Sequence, residues 1–294
     1  MHLPPPRDTL LIAIAVLGVS TSGPLIAATA APALAIAFWR NAMAMVAIGP
    51  VALVRFRAEF ARLTGREWRV CALAGVLLAG HFATWVPSVK LTSVASATAL
   101  VATQPIWAAV IARALGRRIP AAAWVGIGVG VVGAALVTGA DFSVSTRAVA
   151  GDLLAVAGGV LSASYVTAGG ASRRTVSTTV YTTVAYSLCA VVLLAVCLLS
   201  GQPLGGYNGG TWARLVALTV AAQLVGHSLI NVVLSSTSAT VVSLAILFEV
   251  PGAAILAAVF LGQTPPLVAL PGLALLLAGL AIVVRSGGRA VPLE

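Results

Sequence analysis

The chain has 294 residues, of which 60% are hydrophobic and only 8% charged, with a formal net charge of +10. A soluble domain carries about a quarter charged residues, so there is too little polar surface here to coat a globule, and lipid is the expected solvent. The positive charge does not point to nucleic acid, because the arginines form no single stripe but fall in the gaps between apolar runs.

Ten runs reach the roughly 20 apolar residues that a spanning helix needs. They cover about 9–30, 32–54, 69–89, 92–114, 120–139, 151–170, 178–200, 212–234, 236–261 and 266–285, and are numbered helices 1 to 10. Proline, glycine, arginine or short polar clusters separate them. The first run follows Arg7 and ends in AATAAPA, the layout of a signal peptide; it is expected to be retained as a membrane helix. The longest gaps, near 55–68, 140–150 and 201–211, are too short to hold a further domain. Cys71, Cys189 and Cys197 lie inside apolar runs, with neither a disulfide framework nor metal-ligand spacing. The expected fold class is an all-α membrane protein with ten transmembrane helices.

Positive residues set orientation. With the N-terminus inside, the cytoplasmic segments hold thirteen: Arg7; Arg55, Arg57, Arg62, Arg66 and Arg69; Arg113, Arg117 and Arg118; Arg173 and Arg174; Arg285 and Arg289. The outside receives Lys90, Arg147 and Arg214, and Arg40 lies within helix 2. Both termini are therefore expected in the cytoplasm.

A shift of 146 residues superimposes Gly80 on Gly226, His81 on His227, Pro105 on Pro251, Gly116 on Gly262, Pro120 on Pro266, Gly126 on Gly272 and Gly133 on Gly279. This register relates helices 3–5 to helices 8–10. Helices 1 and 6 match only through Ser20-x-Ser22 and Ser162-x-Ser164. Five helices separate equivalent positions, and five is odd, so the halves, 1–145 and 146–294, have opposite orientation. Inverted five-helix repeats are a mark of secondary transporters, with the site near mid-membrane between the halves.

Helix 2 carries P-x7-R-N-A-x-A and helix 9 carries E-V-P-x-x-A-x-L-x-x-x-x-L-G. With ten helices in two inverted halves, the chain resembles the EamA-type transporters of the drug/metabolite transporter superfamily, and within them the aromatic amino acid exporters of bacterial inner membranes. The resemblance covers essentially the whole chain. It implies export of small metabolites, with aromatic or other neutral amino acids as substrates. The family often has Gly-Glu at the ends of helices 4 and 9, where this chain has Gly116-Arg117 and Gly262-Gln263, so any role of that acid is absent.

Glu249 lies about 12 residues from either end of helix 9, near the bilayer centre. An ionisable residue there is a functional candidate. Three readings stand: a cavity group meeting substrate or a proton, a structural ion pair with Arg40, or a protonated, hydrogen-bonded acid. Arg40 differs from it in depth by roughly 6 Å. Pro105 and Pro251 lie mid-helix, where each removes a backbone bond and frees the carbonyl four residues back, that of Val101 or Leu247. They are static kinks or hinges. As hinges they would leave one half straighter and the other more bent, moving helices 3–4 against 8–9.

Helix 8 presents Gln223, His227 and Asn231 at spacing four, a polar stripe on one face; the helix 3 mates include His81 and Trp85. Interhelical bonding or cavity lining would both account for it. Helix 4 adds Thr103, Gln104 and Trp107, and helix 6 adds Tyr165. A central cavity bounded by helices 1, 3, 4, 6, 8 and 9 is expected. Trp39 is interior by position, whereas Trp68, Trp124 and Trp212 sit at helix ends. Gly126, Gly130 and Gly133 form a close-approach face, with a homodimer contact as one use. No phosphate loop, metal cluster or nucleophile–base pair is present, so no cofactor or metal is expected. The leading reading is an amino acid exporter; the alternative is an exporter of another solute, such as a hydrophobic cation or drug, with Glu249 as counter-charge. An intramembrane enzyme is the distant third, since no second buried acid pairs with Glu249.

Overall fold

The computed structural model describes residues 5–142, 145–172, 175–233 and 239–287. Arg173, Arg174 and Arg289, counted above, and the side chain of Asn231 lie outside what is described. Helix 1 is in two pieces, Pro6–Ser20 (1a) and Ser22–Ala28 (1b). Helix 2 is Ala33–Arg55 and helix 3 is Gly65–Leu91. Helix 4 divides into Val94–Val101 (4a) and Gln104–Ala114 (4b). Helices 5, 6 and 7 are Ala121–Phe142, Thr146–Ser172 and Thr178–Leu199. Helix 8 runs through Gly209–Leu218, a π-helical Thr219–His227 and Ser228–Val233. Helix 9 divides into Ala239–Ile246 (9a) and Glu249–Leu261 (9b), and helix 10 is Leu270–Gly287. Among the described residues no strand occurs, and nine of these helices are long and apolar enough to cross a membrane. Helix 8 is the tenth, divided into α, π and α pieces.

The three broken helices share one cause. Proline lacks an N–H and crowds the carbonyl four residues back. For Pro24, Pro105 and Pro251 those carbonyls belong to Ser20, Val101 and Leu247, and the helices stop at or one residue before them. Helices 4 and 9 are thus broken at equivalent places, so the expected contrast between a straight and a bent half does not fall there. The halves differ instead in helix 3, α-helical throughout, and helix 8, whose middle is π-helical. Helix 1 breaks as well, which the sequence reading missed.

The inverted repeat is visible in the contacts. Helices 5 and 10 lie against each other, as do helices 3 and 6, and helices 1 and 8. A Cβ on Gly126 would stand 2.8 Å from the Gly279 carbonyl oxygen, and one on Gly133 would stand 2.8 Å from that of Gly272. Gly126 and Gly272 are sequence mates, as are Gly133 and Gly279, so partners are exchanged about the crossing, as a two-fold axis requires. Glycine permits this approach because it has no Cβ. The close-approach face read from Gly126 and Gly133 thus packs against helix 10 of the same chain. The same symmetry recurs where Gly226 meets Val19 Cγ1 and Gly80 meets Leu161 Cδ1; Val19 and Leu161 immediately precede Ser20 and Ser162.

At the arginine-rich end, Thr64 and Glu67 form a reciprocal cap at the start of helix 3. Glu67 Oε1 also accepts from Thr175 Oγ1 at 2.6 Å, and Glu59 Oε1 accepts from the Ser177 N–H at 2.7 Å. These bonds tie the turn between helices 2 and 3 to that between 6 and 7. At the opposite end Lys90 Nζ donates to the carbonyls of Thr29 (2.6 Å) and Ala27 (3.2 Å), a cation at the C-terminus of helix 1b. Trp39, expected inside, turns to that end: its Nε1 donates to the Leu204 carbonyl at 2.9 Å, and its ring meets Trp212 edge-on at 5.0 Å.

Candidate functional site

Arg40 is 1% exposed. Its Nε donates to Gln223 Oε1 at 2.9 Å and its Nη1 to Ser22 Oγ at 3.4 Å. The guanidinium lies over the Phe82 ring, 4.4 Å from the centroid, and 5.8 Å from that of Trp85, a cation–π arrangement. Gln223 Nε2 reaches Asn41 Oδ1 at 3.4 Å, and Asn41 Nδ2 donates to the Ala37 carbonyl at 2.8 Å. Among the described residues no carboxylate oxygen lies within 4.0 Å of Arg40. The ion pair with Glu249, one of the three readings of that acid, is not formed; neutral groups and ring faces hold the cation instead.

Glu249 opens helix 9b, immediately after the break, and is half-buried. It lies within electrostatic range of Arg40, as do Tyr186 and His227. His227 is exposed and also lies within electrostatic range of His81. Gln223, one turn earlier, is buried, so the helix 8 stripe divides into a residue holding Arg40 and one facing open space. His81 is anchored, its Nδ1 at 2.9 Å from the Gly158 carbonyl, and its ring lies parallel to Trp85 at 5.9 Å. The bond to a carbonyl makes Nδ1 the protonated nitrogen. Tyr186 and Phe82 escaped the sequence reading, each being an aromatic in an apolar helix with no polar pattern around it.

The helix 4 candidates form a second group against helix 6. Thr103 Oγ1 donates to the Leu100 carbonyl at 2.6 Å and accepts from Trp107 Nε1 at 3.0 Å. Gln104 Oε1 accepts from Ser162 Oγ at 2.9 Å. Tyr165 stacks on Tyr181, with centroids 6.0 Å apart. Gly159 presses on the 4a–4b break, where a Cβ would lie 3.1 Å from the Val101 carbonyl oxygen and 2.9 Å from Thr103 Oγ1. The two carbonyls freed by proline are met within the fold. That of Leu247 accepts from the Val250 N–H at 3.3 Å, and that of Val101 is covered by Gly159.

A cavity of about 730 Å³ opens at the arginine-rich end among helices 3, 4b and 6, with Glu67, Ala108, Arg117 and Thr167 in its wall. Neither Arg40 nor Glu249 is in its wall, so this cavity is separate from the mid-depth enclosure by six helices that the sequence predicts. Pro251 faces away from the polar groups, into an apolar crevice of about 350 Å³ shared with Phe248 and Leu277.

The sequence model of the EamA-like transporter family matches residues 8–139 and 149–285. A solved structure described as "Crystal structure of protein" is 19% identical, with a TM-score of 0.65 over 97% of this chain and 99% of its own; at that identity the likeness is one of fold. No curated protein matches. Nearly the whole chain lies within the two family matches: it belongs to the EamA-like transporter family, and is a multi-pass membrane transporter of small solutes.

Proposed function

We propose that the protein is a secondary transporter that exports small zwitterions, aromatic or other neutral amino acids, across the bacterial inner membrane by alternating access, both termini being cytoplasmic. The observation that carries this reading is the meeting of helix 9b with the breaks in helices 1 and 4, where Glu249 stands within range of Arg40 without pairing to it. Discontinuous helices build transporter sites because they bring polar groups to mid-membrane. One fixed cation and one acid, held apart, offer separate places to a carboxylate and an ammonium. Phe82, Trp85 and Tyr186 supply apolar wall for a side chain. A hydrophobic cation would have to sit beside Arg40 with no gain from it, which disfavours the alternative.

Counterflow in proteoliposomes against a panel of amino acids, with and without a pH gradient, tests the reading. Accumulation of labelled phenylalanine or another neutral amino acid is expected. Exchange of hydrophobic cations with no response to any amino acid would overturn it.

A further inference from the structure

The buried guanidinium is only partly satisfied. Nε and Nη1 have side-chain partners, while Nη2 has no hydrogen bond among the described residues. Beside it, Trp85 is 5% exposed and its indole N–H has no partner. Ser20 Oγ, at the end of helix 1a, and Thr98 Oγ1, in helix 4a, are also buried without partners. Buried donors are normally satisfied, and leaving one unmade costs about 1–3 kcal/mol. A lone cation in a membrane interior is costlier still. An unpaired cation with an unsatisfied indole donor beside it describes a site shaped for an anionic acceptor. Aromatic faces hold the guanidinium in place, so its edge is left for a planar, two-oxygen group.

We propose that Arg40 and the Trp85 indole N–H form the carboxylate-binding end of the central site, so that the solute must bear a carboxylate. This rests on the amino acid reading above and makes it specific: Glu249 receives the ammonium, and Arg40 with Trp85 receives the acid. Gln223 and Ser22 act as positioning residues for Arg40.

The test is direct binding by the purified full chain of three probes: phenylalanine, phenylalaninamide, which lacks the carboxylate, and 3-phenylpropionate, which lacks the ammonium. The amide is expected to bind at least about tenfold more weakly than phenylalanine. Trp85→Phe keeps an aromatic ring beside His81 and Arg40 and removes the N–H together with the five-membered ring. It is expected to weaken both acids by about tenfold while leaving binding of the amide unchanged, so that any general loss from the smaller ring shows in all three probes. Arg40→Lys is expected to weaken the acids as well. Equal binding of acid and amide by the native protein, failure of both acids to bind, or equal weakening of all three probes by Trp85→Phe would overturn the proposal. Binding of 3-phenylpropionate that depends on Trp85, without amino acid transport, would uphold the carboxylate end and sink the amino acid reading.

Discussion

Gly133 rests on the backbone of Gly272, at a distance that leaves no room for a side chain at either position. Its symmetry partner is the contact of Gly126 with Gly279. The crossing of helices 5 and 10 is therefore a fixed axle between the halves, set by backbone rather than by adaptable side chains. Gly133→Val is expected to destabilise by about 2 kcal/mol or more through overpacking, read as a lowered melting temperature in detergent. Gly128, on the same helix with open space around it, supplies the contrast: Gly128→Ala is expected to be neutral or to stabilise by about 0.5–1 kcal/mol. Equal losses at both positions would argue against the axle.

Glu249 makes no ion pair with Arg40, so its neutral isostere removes no structural partner. Glu249→Gln is expected to keep the melting temperature within about a degree or two while cutting transport at least about tenfold. Uptake and melting are measured on the same preparation. Native uptake with an unchanged pH profile would remove Glu249 from the mechanism.

Pro105 and Pro251 follow breaks at equivalent positions in oppositely oriented halves. Alanine at either restores a backbone donor and is expected to slow turnover several-fold, with little change in substrate affinity, because the bend rather than the site is altered. Exchange rates and binding constants separate the two effects. Native rates in both variants would make these prolines static bends.

The two repeat-related histidines are expected to behave differently. His81 is anchored on the Gly158 carbonyl and stacked on Trp85, so His81→Ala should destabilise by about 1–3 kcal/mol. His227 is exposed, so His227→Ala should leave melting unchanged and, if the side chain serves the site, lower transport. Thermal melting beside counterflow distinguishes them, and loss of stability in both variants would contradict the division.

The cavity at the arginine-rich end can be tested for access. Thr167 lines it, and the three native cysteines are buried. Thr167→Cys is expected to react with a membrane-impermeant thiol reagent in inverted vesicles and to resist it in right-side-out ones. Labelling only in right-side-out vesicles would reverse the orientation drawn from the arginines.

Apolar run length and the 146-residue register made the spans and the breaks at Pro105 and Pro251 legible, because both follow from local backbone chemistry. Pro24 obeys the same rule, but near a helix end it reads as a boundary. The π segment of helix 8 left no mark, since a change of hydrogen-bond ladder needs no particular residue. Arg40 was readable as an intramembrane charge, whereas its partner was not: Gln223 is 183 residues away, and only the crossing of helices 2 and 8 brings the two together. The glycine face was visible, but a stripe of small residues does not say whether its mate lies in the same chain.

That separation bears on how the protein is made. Helix 2 is inserted with a guanidinium at its eighth residue, an addition of at most about 2.5–3.5 kcal/mol to its insertion free energy, and it is the least apolar of the nine candidate spans. Ser22 precedes Arg40 by 18 residues and is already in place, but Gln223 does not yet exist. At about 5–20 residues per second the ribosome needs roughly 10–40 s to reach it. Throughout that interval the guanidinium has Ser22 and, once helix 3 is in, the Phe82 and Trp85 rings, but not its Nε partner. Only the arrival of helix 8 supplies the Gln223 acceptor, so the guanidinium is fixed in place late in the chain's synthesis.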